Sequence, residues 1–383
     1  MAPTKCIGIL SVSVPPMISG QAIILDRLLQ GMCDKKIVFI SSGSLGSIED
    51  CKIKCYYLKQ LFNKKLVMTA ILFPPILFVM VYIEVLFRAY HLIGILRKEN
   101  IYKLVACTGS IYDLPAASIA CSYIKIPYVS YLFDDYLYQW RGSFRWIAKF
   151  FEKKVFCKSS DIIVPNEFMV KEVEKRYALP SILIRNGANI ETFNPQYEVR
   201  RPFRFVFLGS VYYTNYSAID GFIKMLDITG TVYSFTMYTS QPINDNSYKY
   251  YLSGSNLLVN NSVPSNNINK CYSENDIVLL PLSLDPKHFQ IIRTSAPGKF
   301  GEYLNCGRII LAVVPQNCFI DWYLRKYKCG FVVNDLTNLS SILNDIITDH
   351  KQTKLYINNA INRSKLDFDL HIAQEKFYRI IWS

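Results

Sequence analysis

The chain has 383 residues, 51% of them hydrophobic, with 43 lysines and arginines against 30 aspartates and glutamates, a formal charge of +13. That length and apolar content suffice for two packed domains and exclude a disordered chain. The charge suits nucleic acid, an anionic membrane face or an anionic ligand, and the lack of any recognisable nucleic-acid module leaves the last two.

The first apolar run, Cys6 to Ser13, passes straight into Pro15-Pro16 and reads as a core strand; a signal peptide's order of basic, apolar and small-residue regions is missing. Gly20 precedes a helix over Gln21 to Met32 and serves either as its turn or as a loop beside a ligand. Further buried strands are expected at Ile37 to Ser41, Leu104 to Thr108, Tyr128 to Leu132 and Ile162 to Pro165, with a helix over Arg145 to Phe156. Asn186-Gly187, Asn194-Pro195 and the charged Glu198 to Pro202 read as a linker. The alternation then restarts with Phe203 to Leu208, Val232 to Met237, Leu257 to Asn260, Ile277 to Pro281 and Arg308 to Val314. Such alternation is the pattern of α/β domains with parallel sheets, so two Rossmann-like halves divided near residue 198 are expected, with ligands on loops at the strand C-terminal ends. Eleven cysteines, without C-x-x-C pairs or metal-type Cys/His spacing, point to a reducing compartment rather than a disulfide framework.

Leu66 to Phe87 stands apart, with Glu84 as its sole charge. Its length suffices to span a bilayer, but Pro74-Pro75 interrupts its centre and the flanking strands require it to fold back. Three arrangements fit: a span, a buried helix, or a helix dipping into a membrane face. Lys64, Lys65, Arg88, Arg97 and Lys98 flank it and favour a cytoplasmic protein peripheral on the anionic inner face of the cell membrane, where a lipid-linked acceptor is found.

The richest stretch is Ser295 to Val314, SAPGKFGEYLNCGRIILAVV. It reads as a helix capped by Ser295, with Pro297 in its first turn and Gly307 closing its last. Unpaired N–H groups and the positive end of the macrodipole at such a start would hold a phosphate over Pro297, Gly298 and Lys299. Glu302 projects from the same face as Lys299, and its oxygens suit vicinal hydroxyls such as those of a ribose. The plainer reading of Lys299 and Glu302 is a solvated ion pair.

Pro297, Lys299, Glu302 and Gly307 resemble the P-x-K-x-x-E-x-x-A-x-G nucleotide-sugar motif of glycosyltransferase family 4, with Asn305 and Cys306 where small residues are usual. The resemblance runs in order through nearly the whole chain: Pro15, Pro16 and Gly20; Pro127 to Asp135, PYVSYLFDD; Glu152 with Ser160 to Ile163; Asn186 to Asn189; Phe207 to Ser210 with Asn215; and Asp276 to Leu282. It implies an α/β GT-B architecture of two Rossmann-like domains whose parallel sheets face a central cleft. Residues 1–198 would form the acceptor domain and 199–366 the nucleotide-sugar domain, with a closing helix from Asp367 to Trp382 returning to the first. It departs at Thr294, eight positions before Glu302, where relatives often carry a first glutamate. It departs again at Ser210, Tyr212 and Tyr213, where many place an Arg and a Lys, and at Phe133 in place of a frequent histidine. Arg293, His288 and Lys299 are the substitutes for the missing diphosphate-holding charge.

The resemblance implies retaining transfer from a nucleotide-sugar donor to a lipid-linked or glycan acceptor in surface polysaccharide or glycolipid assembly, without cofactor or metal. Transfer requires stabilising a departing diphosphate, placing an acceptor hydroxyl and excluding water. Donor contacts are assigned to Gly20, Gly209, Ser210, Arg293, Pro297, Gly298, Lys299 and Glu302, and catalytic roles to Asp134, Lys299 and Glu302. Neighbours at a strand end point opposite ways, so one of Asp134 and Asp135 faces the ligand; Asp134 is taken to orient the acceptor or accept its proton, the alternative being a turn or capping aspartate. Asp367-Phe368-Asp369 imitates a metal-binding triplet but reads as a solvated helix face, and His91, His350 and His371 lack metal-type spacing. A GT-B sugar-nucleotide epimerase and a catalytically silent membrane-associated scaffold are the alternatives; neither calls for turnover with an acceptor.

Overall fold

The computed structural model describes residues 6–17, 19–31, 36–43, 54–191, 194–199, 201–239, 256–263 and 267–383. The apolar runs build two wholly parallel sheets, each within its own unit, one comprising Met1–Gly187 with His371–Ser383 and the other Ala188–Leu370. The division thus falls at residue 187 rather than 198.

In the first unit, strands β1 (Cys6–Ser11), β2 (Lys36–Ser41), β3 (Lys54–Tyr57), β4 (Ile101–Cys107), β5 (Tyr128–Tyr131), β6 (Asp161–Val164) and β7 (Ile182–Leu183) lie in the order β3-β2-β1-β4-β5-β6-β7. The central strands β1 and β5 are buried throughout, as expected where helices cover both sheet faces. Sequence periodicity misses β3 and β7, edge strands that are half-exposed or two residues long. Helix α1 (Gly20–Leu29) is capped by Ser19, whose Oγ accepts from the Ala22 N–H at 3.2 Å. It stops short of the expected Met32, which lies outside the described residues.

The apolar run forms two helices, α2 (Lys64–Ala70) and α3 (Pro74–Lys98). Pro74 and Pro75 start α3 because proline lacks the N–H that a first turn leaves unpaired anyway, and the helix then continues past the expected end at Phe87. Among the described residues, α3 alone is long and apolar enough to cross a membrane. One face of it, through Leu77, Val81, Val85, Ala89, Leu92 and Leu96, packs into the core with Leu114, Ala117 and Ala120 of α4 (Asp113–Ile124). A buried charge network locks that packing. Arg88 pairs with Glu84 and with Asp113 at 2.8 Å each, Glu84 accepts the Leu61 and Phe62 N–H groups at 3.0 and 3.1 Å, and Ser42 donates to Asp113. Moving α3 into lipid would strip these charges of their partners, at about 2.5–3.5 kcal/mol for a charge at the bilayer centre. The unit is completed by α5 (Gly142–Lys158), α6 (Glu167–Tyr177) and the closing helix.

In the second unit, β8 (Phe203–Leu208), β9 (Tyr233–Thr239), β10 (Leu257–Asn261), β11 (Ile277–Pro281), β12 (Ile309–Val313) and β13 (Phe331–Val333) lie in the order β10-β9-β8-β11-β12-β13. Its helices are α7 (Tyr216–Ile228), α8 (Ile268–Ser273), α9 (Phe289–Ile292), α10 (Phe300–Asn305), α11 (Phe319–Tyr327), α12 (Leu339–Thr348) and α13 (His350–Asp367). The expected linker is held to this unit: Val199 is buried, the Gln196 N–H donates to the Gly307 carbonyl at 3.0 Å, and Arg308 Nη1 donates to that of Asn194 at 3.0 Å. Arg200, within that segment, lies outside the described residues.

The closing element also differs from expectation. Instead of one helix from Asp367, α13 ends there and α14 (Leu370–Trp382) begins after a break, where Asp369 bridges to Ala188. Asp367 is not on a solvated face, since it accepts from Tyr323 Oη at 2.5 Å and pairs with Arg363. Beyond the break, α14 packs in the first unit, where buried Lys103 Nζ donates to the Ile380 carbonyl at 2.7 Å and Tyr102 Oη to that of Ile381 at 2.6 Å.

Candidate functional site

At the C-terminal ends of β8 and β11, two loops are built to hold their shape. After β8, the Gly209 N–H donates to the Tyr238 carbonyl at 2.9 Å. Buried Asn215 organises the rest, accepting from the Tyr212 N–H at 2.8 Å and donating to the Ser210 carbonyl at 2.9 Å. Ser210, Tyr212 and Tyr213 are left at the surface. After β11, the N–H of buried Ser283 donates to the Thr214 carbonyl at 2.6 Å, and its Oγ lies 2.8 Å from Ser217 Oγ and 3.0 Å from His288 Nδ1. The His288 ring meets Tyr213 edge-on at 5.3 Å. The two loops therefore form one hydrogen-bonded rim carrying two tyrosines, a histidine and three hydroxyls.

The motif enters this rim differently from expectation. Its helix, α10, starts at Phe300 and has six residues; Lys299 is the N-cap position and makes no side-chain capping bond. Ser295 is no cap: its N–H closes the turn after α9 by donating to the Ile292 carbonyl at 3.0 Å. Pro297 lies before the helix, its carbonyl accepting the Phe300 N–H at 3.0 Å. Pro297 biases Ala296 away from helical backbone, so the chain turns through Pro297-Gly298-Lys299 before helix can form. Gly307, at φ +67°, does close the far end, where a Cβ would meet Pro195 Cα at 3.1 Å.

Tyr303 joins this helix to the rim. Its buried phenol donates to the Leu208 carbonyl at 3.2 Å and accepts the Leu208 N–H at 3.1 Å, tying α10 to the last residue of β8 and hence to Gly209 and Ser210. At the start of α10, Lys299 Nζ and Glu302 Oε2 are paired at 3.0 Å, with the Glu302 side chain 13% exposed. A largely covered carboxylate beside a partly open ammonium presents an acceptor for hydroxyls next to a cation for phosphate. Thr294 is buried at 1% exposure, Arg293 is half-buried at the end of α9, and His288 belongs to the rim. Asn305, where a small residue is usual, is buried and bonded, donating to the Glu191 carbonyl at 2.9 Å and accepting from Ser364 Oγ at 3.2 Å.

The first unit holds the remaining candidates. Asp135 faces inward, accepting the Leu137 and Tyr138 N–H groups at 2.9 and 3.0 Å and pairing with Arg176. Arg176 also lies 3.6 Å from Glu152, to which Tyr177 Oη donates at 2.9 Å, so the Glu152 of the resemblance is a packing residue here. Asp134 points the other way and is exposed; buried Thr108 Oγ1 accepts the Phe133 N–H beside it at 2.9 Å. Loss of hydration, aided by the Asp135 charge, pushes the Asp134 carboxyl up to about 6, although its solvent contact tempers that shift. Gly20 is exposed as the first residue of α1, and a Cβ there would meet nothing within 4 Å, so no close approach demands glycine. Sequence reasoning missed Gln21, which ties the loops after β1 and β4 together: Ser11 Oγ donates to its Oε1 at 3.2 Å and its Nε2 donates to the Thr108 carbonyl at 2.9 Å. A glutamine in the first turn of a helix carries no local signal of such a role. Among the described residues no three His, Cys, Asp or Glu side chains gather as for a metal ion.

No protein-family model and no curated protein matches the chain. Solved structures do. HepE of Anabaena, in complex with UDP and glucose, superposes with a TM-score of 0.69 at 14% identity over 98% of this chain and 99% of its own. A glycosyltransferase from Rickettsia africae gives 0.66 at 14% identity, covering 99% of this chain and 98% of that one. A UDP-N-acetylglucosamine 2-epimerase from Listeria monocytogenes, described as putative, gives 0.59 at 10% identity over 97% and 94%. At such identities the likeness shows the fold: the chain has the α/β GT-B fold.

Proposed function

We propose that this GT-B protein is a retaining, family 4-like glycosyltransferase that moves a sugar from a nucleotide-sugar donor to a lipid-linked or glycan acceptor in surface polysaccharide or glycolipid assembly. The observation that carries the reading is the Lys299–Glu302 pair on α10, fastened through Tyr303 to the loop after β8. In this reading Glu302 accepts the ribose hydroxyls, and Lys299 leaves it to meet the diphosphate. Arg293, Gly298 and the Pro297 turn complete the phosphate contacts, with Gly209 and Ser210 on the opposite rim. Cationic side chains and N–H groups stabilise charge as the anomeric C–O bond to the diphosphate breaks, so the reading needs no metal. Asp134 orients the acceptor hydroxyl, whose oxygen bonds the anomeric carbon as its proton passes to the departing diphosphate. The protein works on the cytoplasmic side of the membrane, where a lipid-linked acceptor resides.

The test is a thermal-shift screen against UDP, GDP, ADP, CMP and their sugar conjugates, without added metal, repeated on Glu302→Ala. UDP-sugars head the screen because HepE holds UDP. A ligand bound only by the folded chain raises its melting temperature, by about 2.7 kcal/mol of stability at a hundredfold excess over Kd. A selective rise lost in Glu302→Ala supports the donor site. No shift with any nucleotide at millimolar concentration overturns it in favour of a silent scaffold.

A further inference from the structure

Helix α3 is apolar on the side that faces away from α4 as well as on the side that packs. Ile76, Val79, Ile83, Leu86 and Tyr90, spaced alternately three and four residues apart, form one stripe along it, exposed from 41% at Ile83 to 74% at Tyr90, and Leu72, 75% exposed in the turn before the helix, extends it. Scattered exposed apolar residues are ordinary; an unbroken stripe on one helix is not. It does not stop at α3. The Phe78 and Phe150 rings meet edge-on at 5.0 Å, joining α3 to α5, on which Trp146, 80% exposed, stands one turn before Phe150.

The charge around this face has a single sign. Helices α2, α3 and α5 contain two carboxylates, Glu84 and Glu152, and both are buried and paired with arginine or lysine. Their exposed charges are cations: Lys64 and Lys65 open α2, Lys149 and Lys153 flank Phe150, and Lys154 Nζ lies 5.0 Å from the centre of the Phe150 ring. Apolar side chains that enter the acyl boundary, a tryptophan and a tyrosine suited to headgroup depth, and lysines that reach outward are the components of an interfacial helix. A spanning arrangement would expose the Glu84–Arg88–Asp113 network; a flat one leaves it covered.

We infer that the outer face of α2, α3 and α5 is a docking surface for an anionic lipid bilayer, with α3 lying in the plane of the headgroups. This specifies the membrane contact of the reading above and rests on it for the lipid-linked acceptor. The experiment is co-sedimentation of the full chain with vesicles of phosphatidylethanolamine and phosphatidylglycerol, and with vesicles of phosphatidylcholine alone, at low and at molar ionic strength. The variants are Ile76→Glu with Val79→Glu, and Lys64→Glu with Lys65→Glu, all at exposed positions that leave the core intact. The wild type sediments with the anionic vesicles, and binding falls about tenfold or more with salt and in each double variant. The nucleotide-sugar thermal shift, measured on the same preparations, stays unchanged in the variants, so loss of docking is told apart from loss of the donor site. Three results overturn the inference: a wild type that stays in the supernatant, variants that bind vesicles as the wild type does, or a wild-type dimer that Ile76→Glu with Val79→Glu converts to monomer.

Discussion

Replacing Arg88 with methionine keeps most of its volume and removes the one cation between Glu84 and Asp113, which are 2% and 0% exposed. Breaking a buried ion pair by deleting one partner costs about 3–5 kcal/mol, because a charge is left uncompensated. Here two are left, but each keeps some support: Glu84 retains the Leu61 and Phe62 N–H groups, and Asp113 retains the Ser42 hydroxyl. The lower end, about 3 kcal/mol, is therefore expected. With a urea slope of about 2 kcal/mol/M, the midpoint of the first unit falls by about 1.5 M. Since the two units need not unfold together, the transition is read by peptide-resolved hydrogen exchange, following α3 and α4 in the first unit and β11 and β12 in the second. The triple variant Glu84→Gln, Arg88→Met, Asp113→Asn removes all three charges and recovers most of the loss. A single variant within about 0.5 kcal/mol of wild type, or a triple variant no better than the single, would refute the claim that this network fastens α3 to α4.

Three further outcomes are expected. Asp134, whose carboxyl is pushed up toward about 6 from an ordinary 3.8 by an amount that its solvent exposure reduces, binds its proton more tightly in the folded chain than in the unfolded one. Its ionisation therefore weakens folding, an effect complete above pH 6 and absent below pH 3.8, and Asp134→Asn is more thermostable than wild type at pH 7.5 and no different at pH 3.5. If Asp134 orients the acceptor as its carboxylate, transfer declines as pH falls through about 6, and Asp134→Asn loses that limb of the pH–rate profile along with most of its rate. Tyr303→Phe leaves the buried Leu208 N–H and carbonyl short of a partner and costs about 1–3 kcal/mol in the second unit; an unchanged denaturation midpoint would show that the phenol does not hold the loop after β8.

Strands β8 and β11 coincide with their sequence expectations residue for residue, because buried strands are apolar runs, β11 without a break and β8 interrupted by the exposed Arg204 alone. Edge strands β3, half-exposed and without such a run, and β13, an apolar run of three residues, gave too little signal to find. In the motif, the spacing of Lys299 and Glu302 was legible, since one turn of helix places them on one face whichever residue starts it. The start itself was not, for Ser295 and Pro297 carry the local signature of a helix opening while the chain spends them on the turns around α9. The roles of Tyr303, Asn215 and Ser283 depend on partners 95, 5 and 66 positions away; of these only the Asn215 contact is local enough to suggest itself from sequence. Strand alternation was expected to turn Asp134 and Asp135 opposite ways; they do point apart, but in the loop after β5, and Arg176, the partner of Asp135, comes from α6 and was not legible.

The return of α14 has a consequence for biosynthesis. The chain leaves the first unit at Gly187 and re-enters it at His371, so the second unit is an insertion within the first. Emerging from the ribosome, the N-terminal 187 residues hold all seven strands of the first sheet and a core that still lacks Phe377 and Ile381. Lys103, buried in β4, awaits carbonyls at positions 380 and 383. The second unit is contiguous in sequence and can finish first, although it is translated later. Order of synthesis and order of completion are thus reversed, and for the time taken to translate roughly 180 residues, about ten to forty seconds at 5–20 residues per second, the first half remains an open nascent chain with its apolar helix α3 already made.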